Sequence, residues 1–207
     1  AYRAAQESLV LLKNEGGLLP LDPGLDTIAV IGPNADSMRS MLGDYSYGAF
    51  TALMDGGEKD ASTTQFPERF PPGMRTILDG IRQRISPDTR LLYAQGCDYS
   101  GSSREGFAEA VDCARGARAA VLVMGGKSGL NQDCTSGELR DRAHLGLPGI
   151  QEELLQAILE TGTPVILVLV DGRPAAIPDL VQQVPAILQS WLPGEEGGAA
   201  VADVLFG

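Results

Sequence analysis

Runs of consecutive apolar residues alternate along this chain with stretches whose apolar positions recur every three or four residues. TIAVIG (27–32), TRLLYA (89–94), AAVLVMG (119–125), PVILVLVDG (164–172) and AILQSWL (186–192) are runs of the first kind. Apolarity sustained over so few residues predicts strands buried on both faces, as in a parallel sheet. Between the runs the period changes. Residues 74–85 align Ile77, Leu78, Ile81 and Ile85, and residues 104–116 turn Phe107, Ala110, Val111 and Ala114 inward. After the fourth helical signal, Pro148 in a first turn, Ile150, Leu154, Leu155 and Ile158 form a buried stripe. Proline suits that place because the first helical N–H has no partner within the helix. Residues 2–14, with Ala5, Leu9 and Leu12 on one side, predict an opening helix stopped by Gly16 and Gly17, and GGAAVADVLF (197–206) predicts a closing one.

Alternation of such strands with helices predicts an α/β fold. It would be a mostly parallel five- to six-stranded sheet with helices on both faces, an α/β sandwich, built by right-handed crossovers. No repeat or linker divides the chain, so residues 1–207 are read as a single domain. Ligands of such sheets bind beyond the carboxyl ends of the strands. The loops expected there are 33–46, 95–103, 126–147, 172–176 and 193–197. The whole stretch 33–73 is rich in Gly, Asp, Ser, Thr and Pro and too long for a plain connection, which predicts a functional loop.

Composition narrows the partners. The formal net charge is −11, the wrong sign for nucleic acid or for an anionic membrane surface. The longest apolar run, Val165 to Val170, is far too short to span a bilayer. The chain opens inside a predicted helix, as a processed or excised piece would, so its sequence leaves localisation open. Cys97, Cys113 and Cys134 contain no CxxC pair, and His144 is the single histidine, so no metal site is expected. Cys97 and Cys134 both follow strands and are the one pair whose placement suggests contact. The plainer reading is three buried or idle thiols.

IGPNA (31–35) lacks the glycines of a dinucleotide turn, and no GxSxG elbow occurs. No cofactor is implied. What stands out is SGELRDRAHLGLPGIQEEL (136–154), where Glu138, Arg140, Asp141, Arg142 and His144 crowd together. Ser136 and Gly137 before Glu138 leave the backbone free to approach a ligand. Asp141 and Arg142 can pair or fix the loop, and His144 reads as a solvent-side residue. A merely solvated charged loop would carry the same pattern. Glu195 and Glu196 open the last helix, where the dipole favours a carboxylate, so their role reads as structural.

Five segments in order resemble one family. ESLVLLKNEGGLLPL (7–21), IAVIGPNA (28–35), GELRDRAHLGLPGIQ (137–151), PVILVLVDGRP (164–174) and PAILQSWLPGEEGGAAVADVLFG (185–207) resemble the second, α/β-sandwich domain of glycoside hydrolase family 3, the β-glucosidase and β-xylosidase family. Residues 1–22 would then be the lead-in from a preceding (β/α)8 barrel. The resemblance implies a retaining, exo-acting β-glycosidase acting on a β-glycoside or oligosaccharide. Its nucleophilic aspartate would lie in that barrel and its acid/base in the family's EGxDR-like segment. Position by position the acid/base falls on Glu138, with Asp141 and Arg142 as loop-bracing residues. Leu139 replaces the family's glycine, and Glu195 stands where PGQEGG has glutamine.

The resemblance also makes Asp44, Tyr45 and Tyr47 substrate-binding residues, with Phe50 completing an aromatic wall. It makes the stretch 44–73 border the barrel, which predicts that its order depends on that partner. A barrel needs roughly 250 residues, so a chain of 207 with a sandwich pattern is expected to fold without a complete active site. The alternative reading is a non-catalytic carbohydrate-binding or structural module.

Overall fold

The computed structural model describes residues 1–54 and 70–207. The stretch 55–69, part of the long segment expected to border a barrel, lies outside the described residues. In chain order the elements are α1 (Tyr2–Ser8), β1 (Val10–Asn14), β2 (Thr27–Ile31), α2 (Tyr47–Met54), α3 (Ile77–Arg84), β3 (Arg90–Ala94), α4 (Phe107–Arg115), β4 (Ala119–Gly125), α5 (Gln151–Leu159), β5 (Val165–Val170), α6 (Pro178–Val181), β6 (Ala186–Gln189) and α7 (Gly197–Phe206). They form one six-stranded sheet of order β1-β6-β5-β4-β2-β3. All pairings are parallel except β1 with β6.

Alternating residues of each strand feed two separate cores. Ile28, Val30, Val121, Val123, Ile166 and Val168 pack under α3 and α7. Ala29, Ile31, Leu122, Met124, Leu167 and Leu169 pack under α4, α5 and α6. Burial on both faces is why the strands read as unbroken apolar runs rather than as alternation. Thr76 starts α3 by accepting the Asp79 N–H at 3.1 Å, and Arg82 and Arg84 complement the dipole at its other end.

The order of the strands decides where a ligand can sit. From β2 the chain crosses under α3 to β3 at the sheet edge. It returns over the other face through α4 to β4, on the far side of β2, and continues outward to β5 and β6. Direction reverses between β2 and β4. Their following loops therefore leave on opposite faces and open a crevice at the carboxyl end of the sheet.

Several expectations change. Residues 2–14 are not one helix: α1 ends at Ser8, Leu9 is extended, and residues 10–14 become a strand. The outer edge of β6 would otherwise leave a row of unpaired N–H and C=O groups, and the apolar Val10–Leu11 segment fills it. A bulge between Leu11 and Lys13 breaks the register. The long loop holds α2, whose small residues carried too weak a helical pattern to be recognised. Pro148 precedes the helix rather than opening it. Its carbonyl accepts the Gln151 N–H in a turn, and α5 begins at Gln151. The last strand stops at Gln189: the Ser190 N–H makes the final bond to β5, at the Leu169 carbonyl, and Trp191 is left-handed (φ 57°). The four-residue α6 was signalled only by Pro178.

Helices α3 and α7 cross where each presents a glycine. A Cβ on Gly80 would lie 2.0 Å from the Gly198 carbonyl oxygen, and one on Gly198 would lie 2.4 Å from that of Thr76. Both obstacles are backbone, so neither yields to a rotamer change. Gly80→Ala should force the helices apart and cost about 1–3 kcal/mol, typical of overpacking, read as a lower urea midpoint with an unchanged slope. An unaltered midpoint would show that the crossing is not tight.

Candidate functional site

Two loops meet over the crevice. The one after β2 carries Asn34, Arg39, Asp44 and Tyr45, and the one after β4 runs from Gly126 to Leu147. Asn34 Nδ2 donates to the Gly126 carbonyl at 2.9 Å, and the buried Arg39 donates to the Leu42 carbonyl at 3.1 Å and the Ser128 carbonyl at 2.5 Å. An unconnected loop of this length must satisfy its backbone groups with side chains. Accordingly the Lys127 N–H donates to Thr135 Oγ1 at 3.0 Å, and the Lys127 carbonyl accepts the Thr135 N–H at 2.9 Å. The Lys127 ammonium is only 1% exposed as a residue. It pairs with Asp133 at 2.5 Å and lies 5.7 Å from the centre of the Tyr99 ring.

At the tip of this loop, Gly137 (φ 121°) and Leu139 (φ 59°) bracket Glu138 in a tight turn closed by Arg140 N–H to the Gly137 carbonyl at 3.2 Å. A left-handed leucine costs roughly 1–2 kcal/mol relative to glycine, and its side chain is 91% exposed. The position explains why a glycine is suited there. Asp44 Oδ2 accepts the Glu138 N–H at 3.0 Å, while Oδ1 accepts from Ser128 Oγ at 3.4 Å. Tyr45 donates its hydroxyl to Glu138 Oε2 at 2.5 Å. That hydrogen bond to a carboxylate holds the Tyr45 phenol above its ordinary value.

The structure thus brings Glu138, Asp44 and Tyr45 together. Tyr47 is not among them: it lies on α2 beside Leu42, Ser46 and Phe70, and Phe50 of the same helix is exposed. His144 is exposed. Glu195 is exposed and Glu196 stands at the start of α7 without capping it by its side chain. Cys97, Cys113 and Cys134 are all free thiols, so the Cys97–Cys134 pairing does not form, and burial pushes the Cys97 thiol up to about 12. Among the described residues no three His, Cys, Asp or Glu side chains converge as a metal ion would require, and no helix is long and apolar enough to cross a membrane.

The side chains of Asp141 and Arg142 do not pair with each other. Asp141 binds Arg173 at 2.6 Å and accepts the Arg142 N–H at 2.8 Å. Arg142 reaches inward to Asp171 at 3.3 Å and to the Gly146 carbonyl at 3.0 Å. Asp171 and Arg173 escaped sequence reading, because the DGRP turn that holds them looks like an ordinary strand end. The Arg173 guanidinium lowers the Asp141 carboxyl below its ordinary value. Burial raises that of Asp171, against the pull of Arg142.

Residues 9–207 match the glycosyl hydrolase family 3 C-terminal domain. A β-xylosidase of Formosa agariphila is 39% identical over 209 residues, and a periplasmic β-glucosidase of Salmonella typhimurium 34% over 227. Each aligns with 100% of this chain, and the chain spans about a quarter of their length, 26% in both cases. Among solved structures, a GH3 exo-β-xylosidase bound to a xylobiose aziridine probe superposes with a TM-score of 0.77 at 28% identity, covering 100% of this chain and 23% of that one.

Because the Asp141 carboxyl is lowered in the folded state, its stabilising contribution is present above the ordinary carboxylate range and is lost as pH falls through the lowered value. Asp141→Asn should therefore reduce the urea midpoint of the 207-residue chain near neutral pH and match the parent in strong acid. An equal deficit at both pH values would contradict an ionic role for the pair.

Proposed function

The chain belongs to glycosyl hydrolase family 3, as its C-terminal domain, and from that premise we propose that it forms part of a retaining, exo-acting β-glycosidase with Glu138 as general acid/base. The substrate class is a terminal non-reducing β-D-glucosyl or β-D-xylosyl residue. The two sugars share the ring and the anomeric chemistry, so one carboxyl group serves either. The observation that carries the proposal is the mounting of Glu138. Its backbone is fixed by Asp44, its carboxylate is exposed at the rim of the crevice, and Tyr45 orients it.

In the proposed reaction an aspartate from a preceding (β/α)8 barrel attacks the anomeric carbon. Glu138 gives its proton to the departing glycosidic oxygen, and the C–O bond breaks. Glu138, now ionised, then takes a proton from water as the water displaces the aspartate, which restores both groups. The two carboxyls must approach to about 5–5.5 Å for retention. Asp44 is not that second carboxyl, since both its oxygens are engaged with the loop. Docking of the barrel would dry the cleft and strengthen the electrostatic interactions within it. The exposure of Tyr45 (79%) and Leu139 (91%) beside Glu138, with that of Tyr47 and Phe50 on α2, supports a covering partner.

In the intact enzyme, Glu138→Ala should lose about 10²–10⁴-fold on a disaccharide, the usual worth of general acid–base help, and far less on an activated aryl glycoside. Azide should restore part of the latter and give a β-glycosyl azide. Equal losses on both substrates with no azide effect would leave the loop as scaffold and favour a non-catalytic module.

The 207-residue chain alone should hydrolyse no aryl β-glycoside, because the proposed nucleophile belongs to the barrel. Turnover by the purified chain, proportional to its concentration and abolished by Glu138→Ala, would overturn this.

A further inference from the structure

We infer that Asp171, at the carboxyl end of β5, is a positioning residue that sets where Glu138 stands; the inference rests on the acid/base reading above. Glu138 itself is exposed, and its own contacts are with Asp44 and Tyr45 of the loop after β2 rather than with a strand. Asp171 is 3% exposed, and both ends of the charged loop come to it. At the start of the loop, Gly126 packs so closely that an added Cβ would lie 2.7 Å from Asp171 Oδ2. At the far end, Arg142 donates to the same oxygen at 3.3 Å.

Arg173 supplies the second connection. Its backbone N–H donates to Asp171 Oδ1 at 3.2 Å, while its guanidinium holds Asp141 at 2.6 Å and the Arg140 carbonyl at 3.4 Å. Residues 140–142 are the descending arm of the turn that presents Glu138. Asp171 is in turn seated on the sheet, because its carbonyl accepts from Gln189 of β6 at 3.4 Å. Beside the Asp44 contact to the Glu138 N–H and the Lys127–Thr135 bonds, a path from sheet to the descending arm therefore runs through one buried carboxylate and two arginines. A buried ion pair is a weak source of stability but fixes geometry. Here the geometry it fixes is the height and tilt of the Glu138 turn over the crevice.

Asp171→Asn keeps the shape and removes the charge that holds the Arg142 guanidinium and receives the Arg173 backbone N–H. A displacement of about 1 Å at a catalytic group costs on the order of 10²-fold. The experiment is a double-mutant cycle in the full-length enzyme, read as kcat/KM on a poor-leaving-group glycoside and on its dinitrophenyl analogue. Asp171→Asn alone should lose tens of fold to about 10²-fold on the poor substrate and far less on the activated one. Added to Glu138→Ala it should cost nothing more, because it acts through the group already removed.

Equal losses on both substrates, or a loss carried over unchanged into the Glu138→Ala background, would overturn the inference and leave the acid/base reading standing. If Glu138→Ala shows no leaving-group dependence, the acid/base reading fails and takes the inference with it. Should Asp171→Asn prove unfolded by circular dichroism, Arg173→Gln replaces it in the cycle. That side chain is 34% exposed and reaches only the turn, so the same non-additivity is expected, and additivity overturns.

Discussion

The parallel pairing of β2 with β4 governs everything at the functional end of this molecule. Ile28 to Ile31 lie beside Ala119 to Leu122 on one side and Leu91 to Ala94 on the other. With right-handed crossovers, that pairing sends the chain to opposite faces after β2 and after β4. The crevice left between the two loops is a consequence of backbone chirality and strand order, not of any particular side chain. What the side chains do is bridge it, through Asn34 to Gly126 and Arg39 to Ser128.

Those bridges are polar because irregular backbone cannot satisfy itself. The segment 126–147 has no helix and only isolated bridges, so its carbonyls and N–H groups turn to buried side chains. Lys127, Arg39, Arg142 and Asp171 are charged groups in places where charge is expensive. Each is explained by a backbone or ionic partner in the loop. Three buried polar atoms at this end, Asn34 Oδ1, Arg39 Nε and Arg142 Nε, have no hydrogen-bond partner among the described residues. Together with the left-handed Leu139 and Trp191, they mark a region held in shape at some cost in free energy, as binding regions commonly are.

The same end carries the largest exposed apolar side chains around Glu138. Elsewhere the apolar surface is explained locally: Val10, Leu11 and Leu12 project from an edge strand whose hydrogen bonds are made on one side only. Around Glu138 no such explanation is at hand. A carboxylate presented on a braced turn, beside the exposed Tyr45 and Leu139, is arranged for a surface that approaches from outside the chain.

By itself the sequence determined the layers. Continuous apolar runs can only be strands with both faces covered, and the helices between them follow from their period, so the α/β sandwich was legible from TIAVIG to AILQSWL. Glu138 was singled out by the family pattern, since the charge of its loop alone would suit a merely solvated one. The tertiary structure decided what depended on partners distant in the chain. Val10 to Asn14 left helix for strand because an edge of β6 needed covering. Asp141 chose Arg173 over its neighbour, and Asp171 became the anchor of a loop 30 residues away, because β4 and β5 lie side by side. Local propensity reaches three or four residues, whereas the sheet brings together residues far apart in the chain. Contacts of that second kind can be seen only after the strands have been put in order.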